Sequence, residues 1–299
     1  MHVIGLDTRG RRAAVALLLW LGAALAAPAA AQSDEEFEAK LGYQTGTVTV
    51  NGGMATMTLP PAFRFIDHEG AARLLERWGN PPEAASGVLG MLIPAAVSPL
   101  AKDGWGIVIT YDEDGFVNDD DAASLDYGKM LREMQDSTRE ANEERTDDGF
   151  EPVTLVGWAE PPHYDAAAHK LYWAKELAFG DASEHTLNYN IRILGRRGVL
   201  VLNAVAAMSQ LATVHAETPA VLAAIEFNEG HRYTDYLPST DKAAAYGIGG
   251  LIAGATAAKA GLFKALWIGL LASKKAIFAG VMALAAAAKK FFGKTEEAA

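Results

Sequence analysis

The chain has 299 residues, half of them hydrophobic, a formal net charge of −11 and no cysteine. This length allows one large domain or two ordinary ones. Without cysteine the chain has no disulfide framework, no thiolate zinc ligand and no thiol nucleophile, so packing must stabilise the fold. A nucleic-acid partner is not expected, because such proteins need clustered Lys and Arg to displace counterions from phosphates.

The charge is divided unevenly along the chain. Residues 1–31 carry a net charge of +2, residues 32–242 carry −18, and residues 243–299 carry +5. An acidic middle part between two basic, apolar ends is typical of a soluble domain that is held near a membrane. We therefore predict a signal peptide over 1–31, an exported acidic domain over 32–242 and a membrane-associated tail over 243–299.

Residues 1–31 have the three parts of a secretory signal peptide. Three arginines precede an apolar run from Ala13 to Ala27, Pro28 breaks that run, and three alanines ending at Ala31 offer a cleavage site. The apolar run is shorter than the ~20 residues that a membrane span needs. The pattern therefore favours cleavage after Ala31, with an uncleaved N-terminal anchor as the alternative, and either form exports the acidic domain.

The first half of the acidic domain mixes strands and helices. Residues 45–59 have the pattern of a β-hairpin around the turn Asn51-Gly52-Gly53. A short strand is predicted over 63–66, and Asp67 is the expected N-cap of a helix that ends near Trp78. Residues 105–111 are apolar and β-branched, which indicates a buried strand.

An acidic stretch follows this strand and can be interpreted in two ways. In one register, Asp112, Asp114 and Asp121 occupy positions three, five and twelve of a calcium loop, although Thr110 at position one is a poor ligand. Alternatively, the stretch is an acidic turn that caps the next helix. The second interpretation is favoured because a strand precedes the stretch. A long polar helix is predicted from Asp121 to Thr146.

The second half of the domain has the pattern of a sheet. Strands are predicted over 153–158, 171–179, 185–194 and 199–206. A rigid turn is expected at Pro161-Pro162, and Pro219 is expected to open a short helix over 220–226. Short connections between neighbouring strands predict antiparallel pairing, and hence an α+β fold with helices packed on one face.

The sequence contains no convincing catalytic motif. It has no nucleophile elbow, phosphate loop or dinucleotide fingerprint, and its histidines lack the spacing of a helical metal pair. Glu160, His163 and Asp165 are close enough in sequence to suggest an acid–base set of a hydrolase that acts on an envelope polymer. No catalytic, metal or cofactor residue is assigned. A non-enzymatic binding or scaffolding role is favoured, with the hydrolase and a calcium-binding module as alternatives.

Six runs carry a family resemblance: Gly157–Asp165, Lys170–Leu177, Leu187–Arg192, Leu194–Gly198, Ser239–Lys242 and Tyr246–Gly247. Together they resemble a bacterial family of uncharacterised membrane-anchored proteins, a domain of unknown function. The resemblance extends from about Gly42 to the end of the tail. It implies a bacterial envelope protein with a C-terminal anchor, and it implies no activity, because the family has no assigned substrate or catalytic residues.

The tail is predicted to hold the chain at the membrane through contacts with lipid. Residues 244–263 are long enough for one span at ~20 residues, and Gly250 and Gly254 have the small-residue spacing of membrane helix pairs, which suggests a homodimer. In a second span, Lys274 and Lys275 would each oppose insertion by roughly 2.5–3.5 kcal/mol. An amphipathic helix at the lipid headgroups is therefore favoured after the single span, with two spans as the alternative.

These predictions together place the protein in the bacterial inner membrane as a single-pass protein. The acidic domain would face the periplasm, and the tail lysines would stay in the cytoplasm, as the positive-inside rule prefers. In that position the domain could bind another protein of the cell envelope.

Overall fold

The computed structural model describes residues 33–147 and 151–254. The predicted signal peptide and the part of the tail beyond Gly254 therefore lie outside the described residues. Helix α1 (Asp34–Glu38) belongs to a small N-terminal unit that ends at Lys40, and the main unit begins at Leu41. The side chain of Ser33 caps α1 by accepting a hydrogen bond from the backbone N–H of Glu36 at 3.1 Å.

A seven-stranded antiparallel sheet forms the centre of the main unit. Its order across the sheet is β3-β4-β5-β10-β9-β8-β7. Six of these strands were predicted, but β4 was not, because its residues are buried almost without interruption and lack the alternation of a half-buried strand. The strands are β3 (Phe63–Asp67), β4 (Val88–Pro94), β5 (Gly106–Asp112), β7 (Val153–Asp165), β8 (Lys170–Phe179), β9 (Thr186–Leu194) and β10 (Val199–Ala207).

Two smaller sheets accompany the large one. β1 (Thr47–Val50) and β2 (Ala55–Thr58) form the predicted hairpin, and all three residues of the turn between them have a positive φ. β11 (Ile225–Phe227) adds to this hairpin by antiparallel pairing with β2. β6 (Phe116–Asn118) pairs with β12 (Ala243–Gly247), and this pair is parallel, unlike the predicted pairings.

Helices lie on both faces of the large sheet, so the prediction that they pack on one face is wrong. On one face, Ala174 of β8 belongs to a core cluster that includes α4 (Leu211–Ala224) and the three-stranded sheet. On the opposite face, the neighbouring Trp173 packs against α5 (Ile248–Ala253). This second face is also covered by α3 (Tyr127–Asp147).

α2 and α3 follow their sequence patterns closely. α2 (His68–Arg77) begins after Asp67, whose carboxylate accepts the N–H of Gly70 at 3.0 Å, as predicted. α3 begins at Tyr127, later than predicted, because Asp126 forms the first cap by accepting the N–H of Lys129 at 2.9 Å. The apolar stripe of α3 faces the sheet as expected, although its residues are only half-buried.

The proline predictions were wrong at two places. Pro161 and Pro162 lie inside β7, where the edge position and the irregular pairing with β8 tolerate missing N–H groups. Pro219 lies inside α4 and does not open it. The buried side chains of Val214 and Val221, on either side of this proline, pack in the core and hold the helix across it.

The first residues of the predicted tail belong to the folded unit. β12 pairs with β6, and Ile248, Leu251 and Ile252 of α5 are buried against residues of β8 and β10. Protein surrounds these side chains up to Gly254. The predicted boundary at residue 243 and the predicted span 244–263 remain predictions, because most of the span lies outside the described residues. No helix within residues 33–147 and 151–254 is long and apolar enough to cross a membrane.

The two glycines proposed for a dimer have other roles in the fold. Gly254 ends α5 with a φ of 84°, a conformation that glycine adopts without strain. A Cβ atom at Gly250 would lie 2.6 Å from Cβ of Tyr246, so a side chain does not fit there. Both glycines are therefore explained within one chain, and dimerisation through them remains an untested prediction.

The packing of α5 on the sheet predicts the effect of shortening Ile248. Its side chain is fully buried, and Ile248→Ala should lower the free energy of unfolding by about 2–5 kcal/mol by leaving a cavity. Urea unfolding of the full chain in mild detergent measures this change. Leu237→Ala is the control, because Leu237 is 50% exposed and its truncation should matter by less than about 0.5 kcal/mol. Equal stabilities of the two variants would contradict the packing.

Candidate functional site

An open groove lies between α3 and the last two strands of the large sheet. Its volume is about 550 Å³, which is within the ~300–1,000 Å³ typical of small-molecule sites. Met130 and Met134 of α3 line one side, and Leu155 of β7 and Leu177 of β8 line the other. Lys175 of β8 lines the same groove, so a cationic group stands among apolar walls.

Among the described residues that line the groove, two side chains are basic and one is acidic. Burial, together with the positive charge of Arg192, lowers the pKa of Lys175 to about 8, so this lysine is still mostly protonated at neutral pH. The other charged side chains among the described lining residues are Arg145 and Glu133. An oxygen of Glu133 lies 3.6 Å from Nζ of Lys129, which partly neutralises it.

A row of polar side chains continues from Lys175 across the sheet. Lys175 is opposite Asn188 in the register, Trp173 is opposite Asn190, and Asn190 is opposite Asn203 on β10. Directly opposite residues share a face, so these polar groups lie on the face of the groove. Asn188 and Asn190 are almost completely buried, and the side-chain nitrogen of Asn190 donates to the backbone and side-chain oxygens of Asn188 at 3.0 and 2.9 Å.

Arg192 lies on the same face, next to this row. Its guanidinium is 5.0 Å from the ring centre of Trp173, and Nη1 donates to the side-chain oxygen of Asn203 at 3.2 Å. Burial lowers the pKa of Arg192 to about 10, and the carboxylate of Asp112 acts in the opposite direction. The indole N–H of Trp173 is buried without a hydrogen-bond partner among the described residues. Buried charges and unsatisfied donors are costly, which makes this face a candidate functional site.

The acidic stretch between β5 and α3 binds other parts of the chain. Asp114 accepts the hydroxyl of Tyr246 at 2.7 Å, and Asp121 accepts the first two backbone N–H groups of α5, both at 2.9 Å. Asp112 stays at the end of β5, where burial raises its pKa. Within the described residues no three His, Asp or Glu side chains could hold a metal ion. The structure thus does not assemble the calcium set of Asp112, Asp114 and Asp121.

Another carboxylate of the same stretch, that of Asp119, lies among two tyrosines and a histidine. Tyr164 donates its hydroxyl to Oδ2 at 2.5 Å, and Tyr233 donates to Oδ1 at 2.9 Å. Nδ1 of His169 lies 3.3 Å from the hydroxyl of Tyr164 and 3.7 Å from Oδ2 of Asp119. Burial acts to raise the pKa of Asp119, but the hydrogen bonds from the two phenols outweigh it and lower that pKa.

The structure separates the residues proposed for a hydrolase. Oε2 of Glu160 accepts the hydroxyl of Tyr189 at 2.8 Å and lies 2.8 Å from Nδ1 of His215. His163 stacks on a tyrosine of β8, and Asp165 accepts two backbone N–H groups in the turn before β8. Glu160 is therefore paired with a histidine that is distant in sequence, and not with His163 or Asp165.

Two of the runs with a family resemblance meet at Asp241. Nε and Nη2 of Arg196 donate to its two oxygens at 2.6 and 3.1 Å, and Nε of Arg197 lies 3.4 Å away. The backbone N–H of Leu237 adds a fourth contact at 2.8 Å. The hydrogen bond from Arg196 is the main reason why the pKa of Asp241 is lowered to about 2. This cluster fixes the chain immediately before β12.

Comparison with known families decides where the chain belongs. Residues 42–285 match the family described as protein of unknown function, DUF2167. The chain belongs to this family. The resemblance to a domain of unknown function that spans most of the chain is thus confirmed. No curated protein matches the chain.

Two solved structures match the chain at low similarity. One is the solution structure of cyanobacterial PsbP (CyanoP) from Synechocystis sp. PCC 6803, with 11% identity and a TM-score of 0.34 over 62% of this chain and 92% of that one. The other is the Ran-binding protein Mog1p of Saccharomyces cerevisiae, with 13% identity and a TM-score of 0.34 over 62% and 96%. Neither is similar enough to bear on the function of this member of the family.

The sequence analysis assigned no residue of the groove to a site, although a signal was present. Within β9, polar Asn188, Asn190 and Arg192 alternate with apolar residues. Alternation in a strand places all three on one face. β9 is an interior strand of the sheet, so a polar face on it indicates that something packs over that face. Lys175 of β8 lies opposite Asn188 and is on the same face. The pattern identifies the face, but it does not show the helix that builds the groove.

The cluster at Asp241 predicts a response to acid. Its carboxylate has a pKa of about 2 in the fold against 3.8 ordinarily, so it stabilises the fold above about pH 4, and this stabilisation is lost as the pH falls towards about 2. Asp241→Asn should be less stable at neutral pH and should lose less stability over this window. Urea unfolding midpoints of the full chain across the window measure both effects.

The control for this experiment is Asp136→Asn. Asp136 is an exposed residue of α3 and pairs with Arg139 on the same helix. This variant should keep the acid response of the unaltered chain, because exposed pairs contribute little. If Asp241→Asn kept the same response as well, the cluster would not be a source of the acid dependence.

Proposed function

We propose that this chain is a binding module of the bacterial cell envelope that holds an amphiphilic anion in the groove beside Lys175. The observation that carries the proposal is the position of Lys175 beside Met130, Met134, Leu155 and Leu177 in a groove of about 550 Å³. Sites for small ligands combine mainly apolar walls with a few polar groups that fix orientation. The anionic group of the ligand would lie against Lys175, and its apolar part would lie against α3.

The side chains of the groove support a ligand with a flexible apolar part. Met130 and Met134 have unbranched, polarisable side chains that adapt to irregular shapes, and both are only half-buried. Covering the walls removes apolar surface from water, which contributes roughly 25 cal/mol per Å². Lys175 supplies selectivity, because a cation in a poorly hydrated site attracts an anion more strongly than it would in water.

The sequence outside the described residues supports a place in the envelope. Residues 1–31 have the pattern of a signal peptide, so we propose that the folded unit is exported to the periplasm. Because residues 243–254 are part of the fold, the longest uncharged run left in the tail is Ala276 to Ala288. This run is shorter than the ~20 residues of a span. We therefore propose that the tail lies on the membrane surface as an amphipathic helix.

The groove proposal predicts that Lys175 controls the affinity for an amphiphilic anion. Dodecanoate serves as the probe, and calorimetry on the full chain in non-ionic detergent measures binding. Lys175→Met keeps the apolar length but removes the charge, and it should weaken binding at least about tenfold, as expected for a lost hydrogen bond to a charged group. Binding to the unaltered chain should also weaken as the pH rises above about 8, where Lys175 loses its proton.

The matched control is Lys102→Met, which removes an exposed lysine between β4 and β5 that is not among the described groove residues. This variant should bind dodecanoate as the unaltered chain does. Dodecanol, which has the same apolar chain without the charge, should bind equally to the unaltered chain and to Lys175→Met. The proposal fails if Lys175→Met and Lys102→Met bind dodecanoate equally well.

The absence of cysteine from the sequence makes the proposed location directly testable. Leu237→Cys introduces an exposed thiol into the folded unit, and Lys294→Cys introduces one at the end of the tail. A maleimide that crosses the outer but not the inner membrane should label both thiols in intact cells if the tail lies on the periplasmic surface. Labelling of Leu237→Cys alone would indicate a spanning tail. Labelling of neither before lysis would contradict export.

A further inference from the structure

Four segments that are distant in sequence meet around Asp119. Asp119 follows β6, Tyr164 lies near the end of β7, His169 directly precedes β8, and Tyr233 follows β11. The tyrosine hydroxyls contact the carboxylate across 45 and 114 residues of sequence. The side chains of these four residues are called the phenol–carboxylate cluster below.

We propose that the phenol–carboxylate cluster is a binding site for a ferric ion. The cluster offers a carboxylate, two phenols and an imidazole, a set of hard oxygen donors completed by one nitrogen donor. It is distinct from the groove, because none of its four residues is among the described residues that line the groove. The inference does not depend on the proposed function.

The spacing of the donor atoms suits one metal ion. In an octahedral site with bonds of ~2.0–2.1 Å, neighbouring ligand atoms are ~2.9 Å apart. The separations in the cluster are 2.5 and 2.9 Å from the two hydroxyls to Asp119, and 3.3 Å between Tyr164 and Nδ1 of His169. Nδ1 and Oδ2 of Asp119 are 3.7 Å apart. The two hydroxyls, each next to a different oxygen of Asp119, and Nδ1 next to Tyr164 lie near this spacing, whereas Nδ1 and Oδ2 are farther apart.

The charges of the cluster select a trivalent ion. Asp119 contributes one negative charge, and each tyrosine contributes one when it coordinates as phenolate, so a 3+ ion is neutralised with a neutral His169. A divalent ion would be neutralised by Asp119 and a single tyrosinate, so only a trivalent ion uses both tyrosines as phenolates. Binding releases two protons, one from each phenol, and changes no oxidation state.

Without an ion, the hydroxyls of Tyr164 and Tyr233 donate their protons to Asp119. The hydroxyl of Tyr233 also lies 3.1 Å from the backbone oxygen of Val117. A bound cation would displace these protons, because its charge favours the deprotonated form of its ligands.

The backbone at His169 is held in an unusual conformation. Its φ is 53°, a left-handed value that few residues other than glycine adopt. The ring stacks on Tyr233 with centroids 4.0 Å apart, and the backbone oxygen accepts the N–H of Leu194 at 3.0 Å. Strained conformations of this kind persist where the surroundings fix them, and they concentrate at functional sites. Nδ1 of this residue lies 3.3 Å from the hydroxyl of Tyr164.

The cluster is open enough for an ion to enter. The side chains of Asp119 and His169 are 24% and 23% exposed, so one side of the cluster meets solvent. Four protein donors leave two positions of an octahedral ion for water or for an oxygen of a small anion. This arrangement permits both loading and release of the ion.

Titration of the full chain with ferric nitrilotriacetate tests the site. We expect one ion per chain and a visible phenolate-to-iron charge-transfer absorption. Tyr164→Phe and Tyr233→Phe should each weaken binding at least about tenfold and reduce the absorption, as the loss of a ligand in a metal site does. Tyr246→Phe is the matched control, because Tyr246 donates to Asp114 in a similar pair outside the cluster, and it should bind iron unchanged.

Resonance Raman spectra of the unaltered iron-loaded chain test the ligands without any variant. Tyrosinate vibrations enhanced by excitation in the visible band are expected. Iron that binds without this absorption, or an absorption that survives in both Tyr164→Phe and Tyr233→Phe, would overturn the proposal. The circular dichroism of each variant shows whether it is folded, and the Raman result stands even if a variant is not.

Discussion

The hydrogen bonds of the acidic stretch after β5 hold the last described part of the chain on the large sheet. Asp114 binds Tyr246, Asp119 binds Tyr233, and Asp121 caps α5, across 132, 114 and 127 residues of sequence. Contacts this distant close long loops and therefore depend on a sheet that is already formed. They bring β12 and α5 to the face that carries the groove.

The two faces of the large sheet have different physical characters. The face under α4 is an apolar core, whereas the face under α3 carries Lys175, Asn190 and Arg192. A buried polar face is less stable than an apolar one of equal area unless its groups are bonded. Buried polar and charged groups that lower stability are often found at functional sites. The groove beside Lys175 is an open part of this face.

The start of the tail changes how attachment to a membrane can be understood. The apolar residues after Tyr246 fit a membrane span by hydrophobicity alone, but Ile248 and Ile252 are buried by protein. Hydrophobicity measures the preference for leaving water and does not distinguish lipid from a protein core. The described residues thus show a protein environment for this first part of the predicted tail.

The sequence by itself determined the elements that depend on local chemistry. The hairpin at Asn51, the cap of α2 at Asp67 and the alternating strand β9 follow from turn geometry, capping and side-chain period, which act over a few residues. The family could also be identified from short runs of sequence. Only the tertiary structure decided the place of β4, the passage of α4 through Pro219 and the role of Asp121. These depend on burial and hydrogen bonds between residues far apart in the chain, and no local pattern contains them.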